Sequence, residues 1–69
     1  MEKELILLLA DAVDDEITLD KALDDFESID ILNISATISE NYNITIPASI
    51  FRGFRTVKDI LDYLNKELL

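Results

Sequence analysis

The chain contains neither cysteine nor histidine, so any chemistry of its own is left to carboxylates, hydroxyls, lysines and tyrosines. Nothing in the order of residues brings two carboxylates into a recognisable pocket, and independent enzymatic activity is not expected. One hydroxyl stands apart. Ser28 lies in Phe26-Glu27-Ser28-Ile29-Asp30, where an acidic, helix-poor stretch meets a strongly periodic helical segment. A hydroxyl at a helix N-terminus can be esterified by a phosphate, because the helix dipole and the unpaired backbone N–H groups there favour an anion. Metal chemistry has weaker support. A Cys/His site is impossible, and Asp11, Asp14, Asp15 and Glu16 match no EF-hand spacing and have no glycine at the turn. The expectation is no metal centre, only loose stabilisation by divalent cations through charge neutralisation.

The elements that must present Ser28 can be read from periodicity. A first helix is predicted over about Glu2 to Val13; its apolar residues run almost without a break, and Leu5, Leu8, Leu9 and Ala12 are taken as the inward set. Residues 14 to 27 lack sustained periodicity and read as a long loop, with Ile17, Leu19, Leu23 and Phe26 as anchors that gain by burial. A second helix, about Ser28 to Tyr42, carries two stripes. Ile31, Ile34, Ile38 and Tyr42 form one, and Ile29, Leu32 and Ala36 form another on roughly the opposite side. One stripe can face the core; the other needs helix three, the loop or a partner protein. Pro47 should leave Asn43 to Ile46 extended. A short helix from about Ala48 to Arg52 follows, closed by Gly53 as a C-terminal cap. Thr56-Val57-Lys58-Asp59 reads as an N-cap with an acidic residue at N3. The last helix should bury Val57, Ile60, Leu61, Leu64 and Leu68. The predicted fold is all-α, a small four-helix bundle with three longer helices, one short third helix, and a long loop between helices one and two.

Sixty-nine residues make a single domain, 1–69. A chain of this size buries only about 60% of the surface its unfolded form exposes, so stability is marginal. Fifteen acids against six bases give a net charge of −9, which repels nucleic acid and anionic membranes and prefers basic protein partners. Nine of the acids fall between Asp11 and Asp30, so the field is local. The apolar run Leu5 to Ala10 is shorter than a secretory h-region, and Glu2 and Glu4 precede it where positive charge belongs. It is also far short of a membrane span. A cytoplasmic monomer without membrane insertion is the expectation, and the sequons at Asn33 and Asn43 are then chance matches.

Taken together, these residues resemble the acyl carrier protein family. Its signature is an Asp-Ser-Leu triplet at the start of the second helix; here the triplet is Glu27-Ser28-Ile29. The segment from Ser28 through Asn43-Ile44-Thr45-Ile46-Pro47 is similar to the family's second helix and its closing Ile-Pro. Phe54-Arg55-Thr56-Val57-Lys58-Asp59-Ile60 through Tyr63-Leu64 is similar to its final helix. Two departures stand out. Leu23-Asp24-Asp25-Phe26 replaces the family's glycine-containing approach, and Asn33, Thr37 and Ser39 occupy positions on helix two that are usually rich in Glu.

The resemblance implies a carrier that holds acyl intermediates as thioesters on a 4′-phosphopantetheine arm attached to Ser28, in fatty-acid or specialised acyl or polyketide-type biosynthesis. The alternatives are an aminoacyl, D-alanyl or peptidyl carrier of the same fold, or an unmodified helical interaction module. The implied partners are a phosphopantetheinyl transferase, which adds the arm from coenzyme A, and acyl-loading and acyl-processing enzymes with basic docking patches. Glu27, Ile29, Asp30, Leu32, Asn33, Ala36 and Glu40 would form the docking face. Asp25, Glu27 and Asp30 repel an incoming phosphate, a repulsion the transferase must offset. Asp30 has two readings, a ligand for the transferase's metal ion or an electrostatic complement to the helix N-terminus. Arg52 and Arg55 make a positive spot that either folds back on the acidic loop or marks a specialised partner.

Overall fold

The computed structural model describes residues 1–68. Helix α1 spans Glu2–Val13, α2 Ser28–Tyr42, α3 Ala48–Phe51 and α4 Val57–Leu68, with one 3-10 turn at Leu23–Asp25. This is the expected all-α bundle of three longer helices and a short third one.

Helix α1 packs chiefly against α2. Leu5 and Leu9, one turn apart, are fully buried, as are Ile34 and Ile38 on α2. Each such side chain contributes about 1.5–3 kcal/mol relative to exposure. The inward set of α1 differs from the expectation, since Leu8 and Ala12 are only half-buried. Ile6, Ala10 and Val13 pack against the core in their stead. A nearly unbroken apolar run leaves the rotation of a helix open, and only the position of its neighbour selects the buried side. On α4, Val57, Ile60, Leu61 and Leu64 are buried as expected, whereas Leu68 is exposed. It continues the stripe by spacing, but the final turn carries it away from the core.

The helix ends hold further corrections. Helix α2 is stopped by Asn43, which is left-handed at φ 54° and not extended; asparagine tolerates that region better than most residues. Pro47 acts later, as the N-cap of α3. Helix α3 ends at Phe51 with Arg52 still right-handed, and Gly53 has no positive φ. Its role is close approach: the Gly53 N–H donates to the Ile50 carbonyl at 3.0 Å, and a Cβ there would lie 3.3 Å from the same oxygen.

The long loop is held from two directions. Ile17 and Leu23 are buried, and Leu19 and Phe26 pack against the core, as the anchor reading expects. Its backbone also pairs with the start of α4. The Leu23 N–H donates to the Arg55 carbonyl at 2.9 Å, the Val57 N–H to Lys21 at 3.1 Å, and the Lys58 N–H to Leu19 at 2.8 Å. Ala22 and Thr56 form an isolated antiparallel bridge between these bonds. Two N–H groups that a helix start leaves without partners are thereby satisfied. Phe51, Phe54 and Tyr63 join α3 to α4, with ring centroids 5.4 Å and 5.7 Å apart in successive pairs.

Candidate functional site at the start of α2

Ser28 is the first residue of α2 and is exposed. The chain reaches it from the 3-10 turn through Phe26 and Glu27, both in extended conformation. Phe26 is half-buried against the core, and the Lys21 ammonium lies 5.4 Å above its ring. The bulky residue that replaces the family's usual approach therefore serves as a local anchor.

Glu27 is the N-cap, and it forms a capping box with Asp30. The Asp30 carboxylate accepts from the Glu27 N–H at 3.4 Å, which gives Asp30 a part in the helix start, one of its two expected readings. The Ile31 N–H donates to the Glu27 carbonyl at 3.1 Å. The N–H groups of Ser28 and Ile29 are left without an acceptor inside the helix. Among the described residues, no side-chain hydrogen bond engages the Ser28 hydroxyl. A phosphate ester on this oxygen would thus meet solvent and two unclaimed N–H donors, the chemistry that suits an anion at a helix N-terminus.

The surroundings are negative. Asp24, Asp25 and Glu27 are exposed, and among the described residues the one ion pair is Lys58–Asp62 on α4, at 3.1 Å. Neither Arg52 nor Arg55 is ion-paired to the acidic loop, which is the fold-back reading of those residues. Arg55 meets the loop through its carbonyl instead, and Arg52 lines a groove of about 190 Å³ together with Asp24, Ile31, Phe51 and Phe54. A second groove of about 200 Å³ runs along Ile31, Leu32, Ile46, Phe51 and Arg52. Sequence reasoning did not find these grooves or the aromatic contacts beside them; the spacing of Phe51 and Phe54 was the available signal.

Of the remaining residues named for docking, Ile29 and Leu32 are 57% and 65% exposed. Asn33, Ala36, Glu40 and Glu27 are exposed as well, and Asp30 is half-buried. Their spacing along α2 puts Ile29, Leu32, Asn33, Ala36 and Glu40 on one side of the helix. The stripe opposite the core is therefore uncovered within the monomer. At the far end of α2 the Tyr42 hydroxyl oxygen is buried without a hydrogen-bond partner. Burial comes first in pushing its pKa above the usual tyrosine value; the Glu4 carboxylate follows, by its charge and as an acceptor that the hydroxyl approaches without reaching full hydrogen-bond geometry.

Comparison with known proteins agrees with this geometry. Residues 3–64 match the family described as the phosphopantetheine attachment site. An acyl carrier protein of Syntrophobacter fumaroxidans is 33% identical over 66 residues, covering 96% of this chain and 72% of its own. One from Clostridium perfringens is 31% identical over 67 residues, covering 93% and 88%. No solved structure is a significant match. A four-helix bundle with an exposed serine opening its second helix, matched along nearly its whole length by carriers of this kind, belongs to the acyl carrier protein family, whose prosthetic group is phosphopantetheine.

Proposed function

We propose that Ser28 bears the phosphopantetheine arm and that the protein presents acyl groups, held as thioesters, to the enzymes of a fatty-acid or specialised acyl pathway. The observation that carries this reading is an exposed, unengaged hydroxyl at the first position of a fifteen-residue helix. In the loading step the Ser28 oxygen attacks a phosphorus of coenzyme A. The oxygen–phosphorus bond forms as the pyrophosphate bond breaks, the hydroxyl proton passes to a base on the transferase, and the nucleotide portion leaves. The N–H groups of Ser28 and Ile29, which have no acceptor inside the helix, would be the donors available to a phosphate held there. When bound, the arm supplies a terminal thiol for thioester formation, and tethering raises the effective concentration of cargo at each partner.

Docking falls to the uncovered side of α2. Ile29, Leu32 and Ala36 give the apolar contact, with Glu27, Asp30, Asn33 and Glu40 around it. Between Asp30 and Glu40 the helix carries no charged residue, so attraction to basic patches is weaker there. That favours partners in a specialised acyl or aminoacyl pathway over those that require a run of acids. Intact mass after co-expression with a broad-specificity phosphopantetheinyl transferase tests the assignment. The wild-type chain gains one arm and Ser28→Ala gains none; an unmodified wild type, or an arm that persists in Ser28→Ala, refutes it.

A further inference from the structure

We propose that Asp59, at the start of α4, is a positioning residue for Ser28, acting through the backbone clamp that joins α4 to the loop before α2. The inference rests on Ser28 as the attachment residue. It starts from a carboxylate that spans a turn: one Asp59 oxygen accepts from the Arg55 N–H at 2.8 Å and from the Thr56 N–H at 3.4 Å. Residues 55 to 58 are thereby held in the shape that pairs with the loop. From that segment the Arg55 carbonyl accepts the Leu23 N–H at 2.9 Å, and the Val57 and Lys58 N–H groups reach Lys21 and Leu19 at 3.1 and 2.8 Å.

Leu23 is where the clamp enters the approach to the site. It is buried, it opens the 3-10 turn, and its carbonyl accepts the Phe26 N–H at 3.1 Å. Phe26 is followed at once by the N-cap Glu27 and by Ser28. Every link from Asp59 through Arg55 and Leu23 to Phe26 and Ser28 is therefore a hydrogen bond of 2.8 to 3.1 Å or a covalent step. The Asp59 carboxyl is also held below its usual pKa, first by the bond from Arg55, which agrees with an ionised acceptor. A transferase must bring Ser28 into line with a phosphorus, and small misplacements at such a step are costly. A loosened loop spreads Ser28 over more orientations and lowers the fraction that is competent.

Asp59→Ala, Asp59→Asn and Ile38→Val are the informative variants. Ile38→Val, in the core of α2, serves as a control for general destabilisation. On the apo protein, amide exchange resolved by residue should quicken about tenfold at Leu23, Val57 and Lys58 in Asp59→Ala. Asp59→Asn keeps an acceptor oxygen but loses the charge, and should fall between Asp59→Ala and wild type. Arm transfer at a temperature where all variants are folded should slow about three- to tenfold in kcat/KM for Asp59→Ala, with less effect in Ile38→Val. Unchanged exchange at those amides would overturn the clamp, and quickened exchange with an unchanged transfer rate would overturn the positioning role of Asp59; neither touches the reading of Ser28. A wild-type chain that accepts no arm would instead sink the reading of Ser28, and this proposal with it.

Discussion

Leu32→Ala offers a sharp test of the docking face. The side chain is 65% exposed, so about two-thirds of its surface remains to be covered by a partner. Full burial of a leucine contributes about 1.5–3 kcal/mol, which leaves about 1–2 kcal/mol available on docking. Alanine retains a small part of that, so the expected loss is about 1–1.4 kcal/mol, or five- to tenfold in affinity. Folding should barely change, within about 0.5 kcal/mol, because an exposed side chain leaves no cavity. The structure supplies a matched control in Leu7, 66% exposed on α1. It lies two residues from the buried Leu5, about 200° around the helix from the side that faces α2. The assay is the KM for arm transfer, measured with a broad-specificity phosphopantetheinyl transferase. Leu32→Ala should raise KM five- to tenfold while kcat holds, and Leu7→Ala should leave both unchanged. Equal effects from the two variants, or none from Leu32→Ala, would refute the assignment of α2 as the contact surface.

Three further outcomes follow from the structure. Tyr42→Phe removes a buried hydroxyl that falls short of a full hydrogen bond yet interacts with the Glu4 carboxylate, so at neutral pH it should change stability in urea titration by less than about 1 kcal/mol. Because the raised tyrosine pKa means stability is lost as pH climbs above about 10, the variant should also lack that alkaline decline. Asp59 has the opposite sign: its folded pKa is lowered, first by the Arg55 N–H, so its contribution is present above the usual carboxylate pKa and lost as pH falls through the folded value. The gap in urea midpoint between wild type and Asp59→Asn should therefore narrow below about pH 4, and a gap that holds constant to pH 3 would contradict it. Millimolar magnesium should raise the melting temperature at low ionic strength by neutralising the acidic loop, and an unchanged midpoint would count against that. Among the described residues no group of three carboxylates is gathered to hold a metal, so the effect should saturate gradually and not at one equivalent.

Some parts of this protein were legible residue by residue. The α4 stripe Val57, Ile60, Leu61 and Leu64 stands among polar neighbours, so its rotation was unambiguous, and all four are buried. On α2 the two stripes were legible but not which of them faced the core; the structure buries Ile34 and Ile38 and leaves Ile29 and Leu32 exposed. Ser28 could be recognised because a helix start depends on local order, here a break in periodicity followed by Glu27 and Asp30. Other parts were not legible. On α1 the run Leu5 to Ala10 offers several equivalent faces, and the choice of Leu5, Ile6, Leu9, Ala10 and Val13 came from the position of α2. Gly53 suggested a left-handed cap because glycine permits one, yet the left-handed termini are Asp14 and Asn43.

The amino-acid order alone determined the helices, the apolar stripes of α2 and α4, and the serine that opens α2, because each depends on spacing within one turn or two. The tertiary structure decided how that serine is held. The clamp from Asp59 through Arg55 to Leu23 joins segments more than thirty residues apart through backbone N–H and carbonyl groups. Every residue but proline carries that donor and acceptor pair, so such bonds leave no mark in side-chain pattern. Only the packing of loop against helix determines which of them meet.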